Sequence, residues 1–131
     1  MTTAPETKYL NIPTEETEQI TLFNWAQTQQ HKYPELRLMY HIPNGGQRSK
    51  SEAARFKAAG VRAGVPDIFL PCPRSRYHGL YIELKRVKGG RVSGDQESFM
   101  RELAQMGYAV YVCFGWKQAS ETIIEYMEGQ L

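Results

Sequence analysis

Charge placed where the chain should be apolar is the feature that most constrains this sequence. Leu80-Tyr81-Ile82-Glu83-Leu84 is an apolar run with an acid inside it and Lys85 directly after it. Strand geometry sends alternate side chains to opposite faces, so Glu83 and Lys85 share one face while Ile82 and Leu84 take the other. Sixteen positions before Glu83, Asp67 follows Val65-Pro66 at the head of a second apolar run. Two acids and a lysine thus fall on neighbouring strands. Burying an unpaired carboxylate costs on the order of several kcal/mol, and a divalent cation with a lysine alongside is one of the few arrangements that offsets it.

The rest of the chain supplies a frame for those strands. Residues 1–13 have no convincing period and two prolines, and read as a loosely held arm. Thr14 reads as a helix cap, with Glu15, Glu16 and Glu18 in or near a first turn whose dipole favours acids. Ile20, Leu22, Phe23, Trp25 and Ala26 continue an amphipathic helix to about His31, and Tyr33-Pro34 ends it. Residues 36–42 read as a strand, Pro43-Asn44-Gly45-Gly46 as a turn, and residues 51–59 as a helix closed by Gly60. Strands are expected at 67–70 and 80–85, plausibly paired as a hairpin. A helix capped by Ser93 follows over 94–106, with Gln96 and Glu97 near its start as in a capping box. Residues 109–114 read as a strand covered on both faces, and 117–127 as a last helix. This order implies a mixed sheet with helices on both sides.

Composition narrows the function classes. With 131 residues the chain has room for one core, and residues 14–131 read as a single domain. No apolar stretch approaches the roughly 20 residues of a membrane helix, and the amino terminus lacks a secretory core segment. A cytoplasmic protein without a membrane partner is expected. Cys72 and Cys113 are too few and too far apart for a disulfide framework or zinc knuckle, and read as buried thiols. The net charge of +2 says little, but its distribution says more. Arg48, Lys50, Arg55, Lys57 and Arg62 cluster in one segment, and Arg74, Arg76, Arg86, Lys88 and Arg91 flank the Asp67 to Lys85 unit. A basic surface around an acidic centre suits a polyanion, with Arg48, Lys50, Arg62, Arg86 and Lys88 as candidate nucleic-acid contacts.

Pro66-Asp67, a gap, and Glu83-Leu84-Lys85 resemble the PD-(D/E)XK nuclease signature, with Leu84 in the variable place. Gly60-Val61-Arg62-Ala63-Gly64-Val65-Pro66-Asp67-Ile68-Phe69-Leu70, then Tyr81-Ile82-Glu83-Leu84-Lys85-Arg86, Ser93, Gln96 and Gly107-Tyr108 resemble its VRR-NUC branch, in the single-domain phage or bacterial form. The resemblance runs from about residue 14 to about residue 126. It implies an α/β restriction-endonuclease-like fold, a central mixed sheet flanked by helices on both sides. It also implies an endonuclease dependent on Mg2+ or Mn2+ in a bacterial or phage-infected cell. Asp67, Glu83 and Lys85 would form the catalytic set, and the Leu84 carbonyl would complete the metal shell. Gln96 matches the family's glutamine after the catalytic strand, with a plain capping role as the alternative. Arg62 occupies the part of the pattern from which the family takes its name, and the second arginine of that name is absent.

The same resemblance leads us to expect a further acid from the first helix. Glu15, Glu18 and Leu22 share one helical face with Gln19, whereas Glu16 leans toward Ile20 and Phe23. Glu18, one turn in from the end, is the preferred ligand and Glu15 the second choice; the alternative is that all three acids serve the helix dipole. Gly64 is expected to allow close backbone approach near the metal centre. The turn at Asn44-Gly45-Gly46 offers amides to a phosphate, though most such turns only reverse the chain. His31, His41 and His78 lack ligand spacing and read as structural or exposed. Tyr77, Tyr81 and Tyr108 read as packing residues. The expected substrate is branched DNA, with four-way (Holliday) junctions cut by a homodimer as the leading form. A flap, nicking or restriction-like nuclease is the second form, a non-catalytic nucleic-acid-binding module the third, and a hydrolase of small phosphate esters a distant fourth.

Overall fold

The computed structural model describes residues 11–43 and 49–131. Helix α1 spans Glu15–Thr28, opened by the Thr14 hydroxyl, which accepts from the Thr17 amide. Its buried residues Glu18, Leu22 and Ala26 recur every fourth position, one stripe turned toward the core. A 3-10 helix, Pro34–Leu38, follows where a strand was expected, and β1 is reduced to Tyr40–His41. Pro34 starts that turn, and the buried residues there, Leu36 and Met39, lie three apart. Three is the repeat of a 3-10 helix; Leu38, which completed the apparent alternation, is exposed.

Helix α2 (Lys50–Ala58) is opened by a capping box between Ser49 and Glu52, and none of its residues is buried. Strands β2 (Ile68–Leu70) and β3 (Leu80–Lys85) pair antiparallel, Ile68 opposite Ile82, as the expected hairpin. Helix α3 (Gly94–Gln105) then carries the chain across to β4 (Ala109–Phe114), which lies parallel to β3 with Glu83 opposite Val112. Helix α4 (Trp116–Met127) closes the fold. The strand order is β1-β2-β3-β4, a mixed sheet.

Ile68, Leu70, Leu80, Ile82 and Leu84 point from one face of this sheet into a core shared with Leu22, Ala26, Ala119, Ile123 and Tyr126 of α1 and α4. Glu83 and Lys85 project from the other face, where α3 packs along β4. The expected sheet with helices on both sides is therefore present. Helices α3 and α4 both pack on β4, which is the edge strand of the sheet among the described residues, with Ala109 and Cys113 buried, Val110, Tyr111 and Val112 half-buried and Phe114 exposed. A continuous apolar run does not separate an edge strand flanked by helices from a central one. No helix among the described residues is long and apolar enough to cross a membrane.

Candidate active site

The C-terminal half of β3 and the entry to β2 bring the sequence-selected charges together. Asp67 is buried, and its Oδ2 accepts the Leu84 amide at 3.0 Å, which fixes the carboxylate beside β3. The Asp67 carbonyl is itself held by two donors, the Ile42 amide at 2.6 Å and His41 Nδ1 at 2.9 Å. Glu83 is 2% exposed and Lys85 7% exposed, and Lys85 Nζ lies 3.2 Å from Glu83 Oε2. The shared face deduced from strand alternation is thus realised as a buried ion pair.

Gln96 joins them from α3. Its Nε2 donates to Glu83 Oε2 at 2.9 Å, and its Oε1 accepts from Lys85 Nζ at 3.1 Å and from the Ser93 amide at 2.9 Å. One side chain thus completes the Ser93 capping box and bridges Glu83 and Lys85. With Oε2 so engaged, Glu83 Oε1 is buried and has no hydrogen-bond partner. Burial, then the adjoining Asp67 carboxyl, push Glu83 up to about 8, against the pull of Lys85. Burial also raises Asp67, opposed by its contacts with Glu83, the Leu84 amide and Lys85.

A cavity of about 660 Å3 opens over this cluster, lined by Asp67, Glu83, Lys85 and Gln96 together with Glu15, Glu16, Gln19, Ile20 and His41 among others. Helix α1 brings two acids, Glu15 and Glu16, to its wall, and Glu15 feels the charges of Glu83 and Lys85. Partial loss of water raises the Glu15 pKa, Glu83 adds to that rise, and Lys85 and His41 oppose it. Glu18, the preferred choice from the sequence, does not line the cavity. Its carboxylate is 4% exposed and its Oε1 accepts the Trp116 amide at 3.2 Å, at the start of α4. Helix α4 has glycine as its N-cap and no side-chain cap of its own, so Glu18 supplies the cap from α1. Helical spacing left Glu15 and Glu18 on one face; one turn of rise separates a cavity residue from a buried cap.

The remaining candidates divide. Leu84 buries its side chain in the core, and its carbonyl leaves the same strand edge as its amide, toward Asp67. Arg86 donates through Nε to the Pro13 carbonyl at 3.1 Å and through Nη2 to the Ile12 carbonyl at 2.9 Å. It thereby ties down the end of the segment expected to be loose. Arg62 reaches back to the Lys57 carbonyl at 3.4 Å, and Lys50 and Lys88 are exposed. Arg48 and the Asn44-Gly45-Gly46 turn lie outside the described residues. Gly64 makes its close approach to α3 and not to the acids: with φ at +88°, a Cβ there would stand 2.4 Å from the Asp95 carbonyl oxygen. His41 was set aside on ligand spacing. A histidine in strand-like sequence beside a Pro-Asn-Gly-Gly turn was its one signal, and spacing rules see only ligands contributed by a single segment.

Among the described residues no group of three or more His, Cys, Asp or Glu side chains is gathered to hold a metal. A carboxylate pair suits Mg2+, which takes one or two protein carboxylates and otherwise water or phosphate oxygens. The unpartnered Glu83 Oε1 beside Asp67 is the atom such a cation would satisfy, so these residues fit the group.

A family model described as the VRR-NUC domain matches residues 13–116. The chain belongs to the VRR-NUC family. A solved structure described as a VRR_NUC domain protein superposes with a TM-score of 0.80 at 32% sequence identity, covering 92% of this chain and 93% of that one. No curated protein matches. VRR-NUC membership makes this a nuclease-type domain, and it agrees with the α/β architecture described above.

Proposed function

We propose that this VRR-NUC protein is a Mg2+- or Mn2+-dependent endodeoxyribonuclease that hydrolyses phosphodiester bonds in branched DNA, four-way junctions foremost, as a homodimer. The observation that carries the chemistry is the Asp67–Glu83 pair, with one buried Glu83 oxygen unpartnered and the other engaged by Lys85 and Gln96. Two adjoining acids whose ionisation is held back by burial, and in Glu83 also by Asp67, are poised to exchange a proton for a cation.

Asp67, Glu83 and the Leu84 carbonyl would hold the ion, with Glu15 facing it from α1. When bound, the ion neutralises phosphate charge and lowers the pKa of water. Lys85, kept beside Glu83 by Gln96, would stabilise charge gathering on the phosphate oxygens. Hydrolysis forms a phosphorus–oxygen bond from water as the bridging bond breaks, so the water must lose a proton and the departing oxygen gain one. Exposed Lys50 and Lys88 and the basic face of α2 would draw in the polyanion. Two copies about a two-fold axis would offer two centres to the two strands of a symmetric junction.

The test is incision of labelled four-way junctions, flaps and plain duplex with Mg2+, with Mn2+ and with chelator, using wild type, Glu83→Gln and Lys85→Ala. Paired symmetric cuts in junctions that need both metal and Lys85 support the whole reading. Cuts confined to flaps or duplex keep the chemistry and replace the substrate. Binding without incision by wild type in either metal leaves a binding module.

A further inference from the structure

We propose that His41 is a further catalytic residue, whose Nε2 holds the water that attacks phosphorus; this rests on the nuclease reading of the same cavity. Three observations lead there. His41 lines the same cavity as Asp67, Glu83, Lys85 and Gln96. Its Nδ1 lies 2.9 Å from the Asp67 carbonyl oxygen. A carbonyl can only accept, so Nδ1 carries the hydrogen, and the tautomer this bond selects leaves the lone pair on Nε2. Finally, Nε2 has no protein partner among the described residues, and the ring is exposed to the cavity.

The chemistry asks for such an atom. The cavity is rich in groups that grip a cation or an anion: carboxylates, among them the unpartnered Glu83 oxygen, an ammonium, and the Gln96 amide, whose two polar atoms are both engaged. An attacking water must also be aimed, and a hydrogen bond from one of its O–H groups to an anchored acceptor does that at small entropic cost. Nε2 is an acceptor on a ring whose other nitrogen is pinned to the backbone of Asp67. The ring is thereby set in register with the carboxylate beside it, much as an outer hydrogen bond orients a histidine in a metal site.

Asparagine separates the two ring nitrogens. In His41→Asn the side-chain amide replaces Nδ1 as the donor to the Asp67 carbonyl and puts nothing where Nε2 stood. The experiment is single-turnover cleavage of a DNA that the wild type cuts, alongside Mn2+ binding by calorimetry and the thermal midpoint, for wild type, His41→Asn and His41→Ala. For His41→Asn the expected result is Mn2+ affinity within about twofold of wild type, an unmoved midpoint, a KM within about twofold, and a maximal rate lowered about tenfold or more, the scale of one hydrogen bond made in the transition state. His41→Ala, which also removes one of the two donors to the Asp67 carbonyl and leaves only the Ile42 amide, is expected to weaken Mn2+ binding as well. Wild-type cleavage by His41→Asn overturns the proposal, as does a raised KM at unchanged maximal rate, which makes Nε2 a DNA contact. Wild type that binds Mn2+ and cuts no DNA overturns the nuclease reading, and the inference with it.

Discussion

Glu18 provides the sharpest separation between a metal ligand and a structural acid. Its carboxylate, 4% exposed, caps the first turn of α4 across the gap from α1, because the N-cap position there is Gly115. Gly115 is also tied to β3, its amide donating to the Lys85 carbonyl at 2.9 Å. Removing an N-cap acceptor costs about 1 kcal/mol. Losing a negative charge at a partly buried helix N-terminus costs about a further 1 kcal/mol. Glu18→Ala should therefore destabilise by roughly 2–3 kcal/mol once the lost packing is included. Glu18→Gln keeps an oxygen for the Trp116 amide and loses only the charge, so it should cost about 1 kcal/mol or less.

Urea unfolding of the two variants, followed by fluorescence and read as a change in midpoint at constant slope, measures both numbers. Mn2+ calorimetry on the same samples supplies the control, since a capping carboxylate outside the cavity should leave affinity within about threefold in Glu18→Gln, a small fraction of the loss from deleting a ligand. The reasoning fails if Glu18→Ala leaves the urea midpoint in place. It fails equally if Glu18→Gln keeps its stability and loses the metal, which would make Glu18 the ligand. Glu15→Gln should do the reverse, weakening Mn2+ binding while leaving unfolding nearly unchanged.

Further outcomes follow from the same coordinates. Glu83, raised to about 8 in the folded chain from an ordinary 4.5, binds a proton that the unfolded chain has lost between those values; its contribution to metal-free stability is complete below the lower value and disappears as pH rises through the upper. Calorimetry near pH 7 in buffers of different ionisation enthalpy should then show proton release on Mn2+ binding, and uptake of metal without release would contradict the assignment. Gly64→Ala sets a Cβ 2.4 Å from the Asp95 carbonyl at a φ of +88°, so it should destabilise by about 1–3 kcal/mol in urea and shift the start of α3, lowering cleavage through Gln96; a neutral substitution would refute that contact. Gln96→Leu removes both the bridge to Glu83 and Lys85 and the reciprocal half of the Ser93 capping box. Cleavage should fall more than stability, which should drop by about 1 kcal/mol; equal activity would reduce Gln96 to a cap.

The hairpin carrying Asp67, Glu83 and Lys85 was legible because a strand's two-residue period is local: once Ile82 and Leu84 face the core, Glu83 and Lys85 have only one side left. The Thr14 and Ser93 caps were legible for the same reason, being decided within one turn. Elements whose character depends on distant partners were not. Leu36, Leu38, Tyr40 and Ile42 alternate as a strand would, yet burial selects Leu36 and Met39 and the segment turns. Whether β4 is central or at an edge depends on what lies beyond it, which no local pattern encodes; among the described residues it pairs with β3.

The α1 acids mark where periodicity stops being informative about function. Two residues on one helical face, about 5 Å apart along the axis, meet different neighbours when the helix end overhangs the sheet. Glu15 stands over the cavity, where Glu83, Lys85 and His41 all act on its carboxyl, whereas Glu18 is driven against the backbone of Gly115 and Trp116. The pair therefore works as one device, with the inner acid locking α1 to the β4–α4 junction and so setting where the outer acid stands. Gly115 has a φ of +88°, which favours glycine by itself, and a Cβ there would also lie 3.2 Å from Glu18 Oε2 and 2.8 Å from Val87 Cγ2, pressing on the acid that holds α1 in place. Gly115→Ala should accordingly weaken Mn2+ binding through Glu15 with Asp67, Glu83 and Lys85 all intact, and undiminished affinity would uncouple the two acids.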